Sequence, residues 1–441
     1  VPAFNAIESQ DRVEPLFAEH HPLRRLVRPT FDTVRRSLRG RAVATLWIDA
    51  DVDPARAGFR PSYEAMHGPG AGHLMSFVGA WLSTGPGSEG GGNVVYFPED
   101  IDPTLLDYAR RVGLLGPCEL VPGIAAMKER VARSGQRLYN IDDLGPSFDP
   151  WSVVSSGLSR WVNSKDHLRS VTGFGPAEVV KDMYEVTGGD YAAARRGEGR
   201  VFLKTCNTES AGLGVHIARS EGEFTEHLAA IREQQRRFDL SRRLVIQPEI
   251  IGKNCSFQVF LDPERRDEIQ VVALSDQLVE ADGKTYRSSV NHAILAGTVE
   301  PVGAAIIDMV DRVWARHPEA FGFLMSDYFA TSEGPIIYDP GLRPTGNTAT
   351  ALAAHLARKI TGRHFMTKLL PLPTGREGLN FAGFARRAGA LVDPQNLATE
   401  GRALMPWGWN PRQGFGMIIA IAPDQAAVDA LCDEAMAFEY E

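Results

Sequence analysis

Val201-Phe202-Leu203-Lys204-Thr205 is an apolar run that delivers a lysine, and Ser210-Ala211-Gly212-Leu213-Gly214-Val215 follows almost at once. The first segment reads as a strand. The second reads as a Gly/Ser-rich turn whose backbone N–H groups can approach phosphate oxygens closely, because glycine carries no Cβ. Lys204 would add a point charge on those oxygens. A plain hairpin with an exposed lysine fits the same letters equally well. Two other phosphate motifs are excluded. Gly283-Lys284-Thr285 lacks the glycine a Walker loop carries five residues before Gly283, and no H-R-D or D-F-G follows.

Downstream, Leu244-Val245-Ile246-Gln247-Pro248-Glu249-Ile250-Ile251-Gly252 is a hydrophobic strand running into a polar hinge. Such a hinge presents backbone groups and one amide, Gln247, to the edge of an adenine ring between apolar walls. An ordinary strand end is the plainer alternative. Further on stand Met325-Ser326-Asp327-Tyr328-Phe329 and Ile336-Ile337-Tyr338-Asp339-Pro340-Gly341-Leu342-Arg343-Pro344-Thr345-Gly346. These read as two adjacent strands that each end in an acid. Hard Mg²⁺ prefers one or two carboxylates plus phosphate oxygens and water, and Asp327 and Asp339 suit it. Arg343 is placed to hold a phosphoryl or carboxylate group. Turn capping by the two Asp residues is the alternative.

Outward from this centre, residues 1–150 alternate strands and helices, the pattern of a parallel α/β domain. Arg41–Ile48 and Asn93–Phe97 read as strands. Asp102-Pro103 supplies an N-cap and a first helical position, and Ile124–Ser134 reads as a second helix closed by Gly135. Gly85–Gly92 matches G-x-G-x-x-G by letter, but a strand follows it where a dinucleotide site needs a helix, so a loop or substrate lid is expected. The Arg-rich stretch before residue 42 reads as a solvated helix face. Residues 151–375 read as an α+β unit, with Ser220-x-x-Glu223 capping a helix to Phe238. Residues 376–441 carry a strand at Gly416–Ala422 and a helix at Asp424–Ala437, and read as a small appended domain.

The 441 residues, 44% hydrophobic and 23% charged, suit two or three globular domains. A net charge of -8 gives no reason to expect nucleic acid or an anionic membrane as a partner. The longest apolar run, Met417–Ala422, is far too short for a membrane span. Cys118, Cys206, Cys255 and Cys432 form no C-x-x-C pair, which argues against a zinc site or a disulfide framework. A cytoplasmic protein is expected. Oligomeric state is left open, a homodimer included.

Each element has a bland alternative, but their order and spacing together resemble the ATP-grasp superfamily over about residues 160–362. The resemblance implies a nucleotide between two α+β lobes, an N-terminal Rossmann-like pre-grasp domain and a small C-terminal domain. It implies ATP and Mg²⁺ as cofactors. Lys165 resembles the first phosphate lysine and Lys204 the second. Ser210, Gly212 and Gly214 belong to the loop over the triphosphate. Gln247, Pro248, Glu249 and Ile250 match the adenine hinge, and Asn254 the ribose position. Asp327 and Asp339 match the metal carboxylates, and Arg343 the arginine closing the family's metal motif. The sequence departs from the pattern at Gln247 and Asn254, where acids are usual. It departs again at Gly341, where the family's Asn ligand is missing; Asn347 is a stand-in.

Among these enzymes the chain looks most like the pheganomycin-type peptide ligases of antibiotic biosynthesis. That resemblance implies a small-molecule acyl donor, an amino-acid-like carboxylate, and an amino-acid or peptide acceptor, joined through an acylphosphate. Arg287 is a candidate for a substrate carboxylate. An ATP-grasp phosphotransferase and a non-catalytic ATP-binding protein are the competing expectations.

Overall fold

The computed structural model describes residues 13–30, 33–34, 37–38, 41–44, 93–97, 102–112, 118–122, 124–135, 137–140, 146–206, 214–238, 241–279, 286–372, 380–410 and 415–438. The Gly85–Gly92 loop lies outside them. Two short strands, β1 (Glu14–Pro15) and β2 (Leu26–Arg28), pair antiparallel near the start of the chain. β3 (Ala42–Ala44), β4 (Asn93–Phe97), β5 (Cys118–Pro122) and β6 (Leu138–Asn140) form a parallel sheet in the order β5-β4-β3-β6. This 3-2-1-4 order is that of one half of a doubly wound fold. Helices Pro103–Arg111 and Ile124–Ser134 make two of its crossovers. Asp102 Oδ1 accepts the Thr104 N–H at 2.8 Å, capping a helix that Pro103 starts without wasting a backbone donor.

The second sheet joins β7 (Val179–Asp182), β8 (Val201–Thr205), β9 (Val215–Ala218) and β10 (Arg243–Pro248) in the antiparallel order β7-β10-β8-β9. Helix Glu221–Phe238 backs it. Ser220 Oγ accepts the Glu223 N–H at 3.2 Å, as the capping pattern expects, while Glu223 Oε2 accepts the Arg219 N–H at 2.7 Å, one residue before the cap. Strand side chains alternate between faces. Val201, Leu203, Leu244 and Ile246 enter a core with Tyr191, Phe224, Leu228 and Ile231. The same alternation turns Phe202, Lys204, Val245 and Gln247 to the opposite face.

The third sheet holds β11 (Lys253–Leu261), β12 (Ile269–Val279), β13 (Tyr286–Asn291), β14 (Gly322–Thr331), β15 (Gly334–Gly341), β16 (Met366–Pro371), β17 (Ala403–Asn410) and β18 (Phe415–Ala422). Their order is β15-β14-β11-β12-β13-β16-β18-β17, with β2 alongside β12. Two helices cover it. Ala296–Arg316 buries Val299, Val302, Ile306, Met309 and Val313 at helical spacing. Gly346–Thr361 buries Ala349, Leu352, Ala353 and Leu356, and ends at Gly362 with φ +71. Phe260 meets Phe321 and Phe323 edge-on, with centroids 5.2 and 5.0 Å apart, an arrangement worth about 0.5–1.5 kcal/mol per pair beyond burial.

The tail does not stand apart. β18 pairs with β16 from Met366↔Ala422 to Pro371↔Met417, so backbone hydrogen bonds cross the boundary expected at residues 375/376. Asp102 Oδ2 also accepts the Phe381 N–H at 3.2 Å, tying the tail to the N-terminal domain. Two arginines expected on a solvated helix face are placed otherwise: Arg25 donates to Asp311 Oδ1 at 2.8 Å and Arg28 to the Ile294 carbonyl at 2.9 Å, from turn and strand that precede the helical residues at 33, 34 and 37. Arg35, Arg36 and Arg39 lie outside the described residues.

One close contact joins the first and third sheets. Tyr139 of β6 is buried, and its hydroxyl oxygen accepts the Phe323 N–H at 3.2 Å. Gly322 opens β14 with φ +104, and a Cβ there would lie 2.6 Å from the Tyr139 ring. Only glycine meets both conditions.

Candidate active site

Cations arrive from one side of the cleft. Lys204 stands on β8, on the face opposite the lobe's core, and is buried. Lys165 opens a single turn after helix Ser156–Asn163 and is also buried. That segment bridges the two sheets. Asn163 Oδ1 accepts the Leu342 N–H at 2.7 Å just beyond β15, and Asp166 pairs with Arg243 of β10 at 2.8 Å. Anions arrive from the other side. Asp327 of β14 and Asp339 of β15 are direct cross-strand partners. Lys165 Nζ lies 3.6 Å from Asp339 Oδ1, and Lys204 Nζ sits 4.9 Å from the centroid of the Tyr338 ring.

Burial strains these charges. It draws the Lys204 ammonium down to about 8; Lys165 adds to that, while Asp339 opposes it. Burial, followed by the Asp339 carboxylate, holds the Asp327 carboxyl well above the usual carboxylate range. Asp327 Oδ1 is steadied by a hydrogen bond from Gln277 Nε2 at 2.5 Å. Two carboxylates facing each other across adjacent strands favour a cation between them. Among the described residues no group of three or more His, Cys, Asp or Glu could hold a metal. The two facing carboxylates match the one or two that Mg²⁺ takes when its remaining ligands come from phosphate and water.

Near the hinge, Gln247 is buried with Oε1 lacking a hydrogen-bond partner, an orphaned acceptor that suits a nucleobase amine. Pro248 ends β10 and Ile250 is half-buried beyond it. Glu249 has its carboxylate on Arg200, accepting Nε at 2.8 Å and the backbone N–H at 2.9 Å. The Glu249 N–H in turn donates to the Arg200 carbonyl at 2.9 Å, so both the side chain and the amide of Glu249 are held by Arg200. Asn254 Oδ1 accepts the Tyr338 hydroxyl at 2.8 Å.

Arg343 follows β15, with its carbonyl accepting from Gln258 Nε2 at 3.3 Å. A Cβ at Gly341 would come within 2.9 Å of Arg343 Nη1 and 3.2 Å of Met325 Sδ. The guanidinium thus lies in the space that a Cβ at 341 would enter. Asn347 Oδ1, considered as a stand-in, is buried without a hydrogen-bond partner among the described residues.

Gly214 adopts φ +67, and its carbonyl accepts the Thr205 N–H at 2.9 Å, closing the turn back onto β8. Ser210 and Gly212 lie outside the described residues. Arg287 falls in β13, its side chain outside them. The structure thus brings Lys165, Lys204, Asp327, Asp339 and Arg343 to one cleft, with Gln247 at its hinge. It adds four residues that sequence reading passed over: Asn163, Glu178, Gln277 and Tyr338. Tyr338 shares a strand with Asp339 and was visible in the quoted motif. The other three are isolated polar residues without a local signature.

No family model matches the chain, and no curated protein matches its sequence. Solved structures do match its fold. N5-carboxyaminoimidazole ribonucleotide synthetase in its ADP complex superposes with a TM-score of 0.53 at 14% identity, over 82% of this chain and 93% of that one. The biotin carboxylase domain of Hydrogenobacter thermophilus 2-oxoglutarate carboxylase, described with MgADP, gives 0.53 at 12% identity, over 91% and 90%. Phosphoribosylamine–glycine ligase of Thermotoga maritima gives 0.51 at 13% identity, over 83% and 94%. No helix among the described residues is long and apolar enough to cross a membrane. With its parallel N-terminal sheet, lysine-bearing lobe and acid-bearing sheet, the chain has the ATP-grasp fold.

Proposed function

We propose that the chain is an ATP-dependent ligase that joins an amino-acid-like carboxylate to the amine of an amino acid or peptide. One observation carries this reading: two buried lysines, Lys165 and Lys204, face the carboxylate pair Asp327/Asp339 across two sheets. That is a site for polyphosphate with its accompanying cation. The ligase names of the superposed structures support the reaction class. The resemblance to pheganomycin-type enzymes supports the choice of substrates.

Lys165 and Lys204 orient the triphosphate, and the hinge Gln247–Ile250 positions the base. Asn254 is assigned to the ribose. A substrate carboxylate oxygen bonds to the γ-phosphorus as the bond to the bridging oxygen breaks, and ADP leaves with that electron pair. Phosphoryl transfer of this kind depends mainly on positioning and charge neutralisation. Mg²⁺, held by Asp327 and Asp339, would supply further neutralisation of the phosphate charge. The amine nitrogen next attacks the acyl carbon, the C–O bond to phosphate breaks, and the amine sheds one proton. Arg343 donates to the oxygen that becomes negative. Shielding of the acylphosphate from water is assigned to the Ser210–Gly214 segment, and a substrate carboxylate to Arg287.

The test is a product assay with ATP, Mg²⁺ and pooled amino acids and short peptides, including arylglycine-like donors. Expected products are ADP, free phosphate and an adduct lighter by one water than its two components. Lys204→Met should weaken ADP binding by about tenfold or more, the loss of one charged hydrogen bond of ~1.5–3 kcal/mol. Phosphate retained on a product would assign a phosphotransferase instead. ATP binding with no turnover across a broad pool would assign a binding protein.

A further inference from the structure

Glu178 is the residue immediately before β7. It is 5% exposed, and its Oε1 has no hydrogen-bond partner. β7 pairs with β10 through Val179↔Ile246 and Val180↔Val245. Carrying that register one step further sets Glu178 opposite Gln247. Gln247 is in turn paired with Phe202 on its other side. Side chains opposite one another share a face. Glu178 and Gln247 therefore stand side by side on the cleft face of this lobe, away from the core that takes Leu244 and Ile246.

Both side chains end in a buried oxygen that accepts from nothing. A buried oxygen left dry and unpaired has lost its water partners without gaining a bond in return. Two on neighbouring positions of one hinge amount to a built receptor for a group with two N–H donors. Phosphate cannot fill it, since it offers only acceptors. The cations Lys204 and Arg169 are felt electrostatically by Glu178, yet burial still pushes its carboxyl up to about 7. Arg169 Nη2 donates to the Glu178 backbone carbonyl at 2.8 Å, and the carboxylate Oε1 stays without a partner.

We infer that Glu178, with Gln247, reads the exocyclic amino group of an adenine base and so sets the nucleotide preference of this chain. The inference rests on the nucleotide reading of the cleft proposed above and names a residue that reading did not contain. The chemistry separates the two oxygens. Gln247 is an amide and can rotate to present N–H instead of C=O. An ionised Glu178 can only accept. A keto oxygen at the same ring position, as in hypoxanthine or guanine, would face that carboxylate acceptor to acceptor. Glu178 is thus the discriminating member of the pair.

The experiment is calorimetric titration of the full chain with Mg²⁺ and either ADP or IDP at pH 8, where the carboxylate form prevails. IDP carries a keto oxygen in place of the amine and a proton on the adjacent ring nitrogen N1. Wild type should bind ADP tighter by about 30-fold or more, within the ~1–3 kcal/mol that a matched pair of base contacts provides. Glu178→Gln keeps the shape and gains an N–H donor, so the ratio should fall below about threefold through tighter IDP binding. A gain of IDP affinity cannot come from misfolding. An ADP preference that persists in Glu178→Gln overturns the assignment while leaving the nucleotide reading intact. Failure of wild type to bind either nucleotide overturns both.

Discussion

Gly322→Ala should unsettle the junction between the N-terminal sheet and the strand that carries Asp327. Two separate costs follow from the structure. At φ +104 an L side chain crowds its own backbone, a cost of roughly 1–2 kcal/mol. The new Cβ would also lie 2.6 Å from Tyr139 Cε2 and 2.8 Å from its hydroxyl, where ordinary contact needs about 3.5 Å. The ring must retreat by nearly that difference, but Tyr139 is 1% exposed and packed edge-on against Phe321. Overpacking of this sort costs about 1–3 kcal/mol. Retreat would also strip the Phe323 N–H of its acceptor, adding roughly 1 kcal/mol. The sum is about 3–6 kcal/mol. For 441 residues, an unfolding entropy near 2.1 cal/mol/K per residue gives about 0.9 kcal/mol/K. The expected fall in Tm is therefore roughly 3–6 °C, read by thermal denaturation. Tyr139→Leu should absorb part of it, so that the double variant is less destabilised than the two single losses added together. A shift under about 1 °C would refute the strain argument, and strict additivity would refute the steric part.

Gly341→Ala should push the Arg343 guanidinium from its place, since Nη1 lies only 2.9 Å from the added Cβ. Ordinary contact needs about 3.5 Å, so Nη1 must move about 0.6 Å, and turnover should fall by about tenfold, scaled from the ~10²-fold that a 1 Å misplacement costs. Phosphate release should show that loss while ADP affinity holds by calorimetry. In an Arg343→Ala background, itself slowed about 10²–10³-fold, the change should add nothing. His355 offers a pH test. Burial, with help from Arg358 and Arg28, pulls it down to about 4 from 6.5, so it stays neutral in the fold. The unfolded chain takes up its proton first as pH drops. The contribution of His355 is thus intact above pH 6.5 and is lost progressively between 6.5 and 4. Thermal scans over that range should fall less steeply for His355→Gln than for wild type, and parallel curves would rule the effect out.

Much of this architecture was legible because it is local. Val201–Thr205 and Ile124–Ser134 form their strand and helix over the residues that periodicity and flanking glycines marked. Asp102 and Ser220 cap where their side chains suggested, since capping needs only neighbours in sequence. The facing of Asp327 and Asp339 follows from one hairpin between adjacent strands. What escaped depends on distant partners. Gln277 reaches Asp327 from another strand, and Glu178 acquires its isolation only when β7 docks on β10. Glu249, assigned to the ligand by its place in the hinge, has its carboxylate on Arg200 from the preceding strand connection. The tail's membership in the third sheet is likewise a matter of long-range register, which no local pattern encodes.

That membership has a consequence for how the protein is made. Synthesis runs from the N-terminus, so β16 leaves the ribosome before the strand that will cover it exists. Until β18 emerges, the backbone groups of Met366–Pro371 form an open edge, apolar at Leu369 and Leu370, available to any nascent neighbour. Closure is slow by its nature, because the partners are far apart along the chain. β18 is therefore the clasp of the sheet whose far edge holds Asp327 and Asp339, and chains cut before it should be recovered as aggregates.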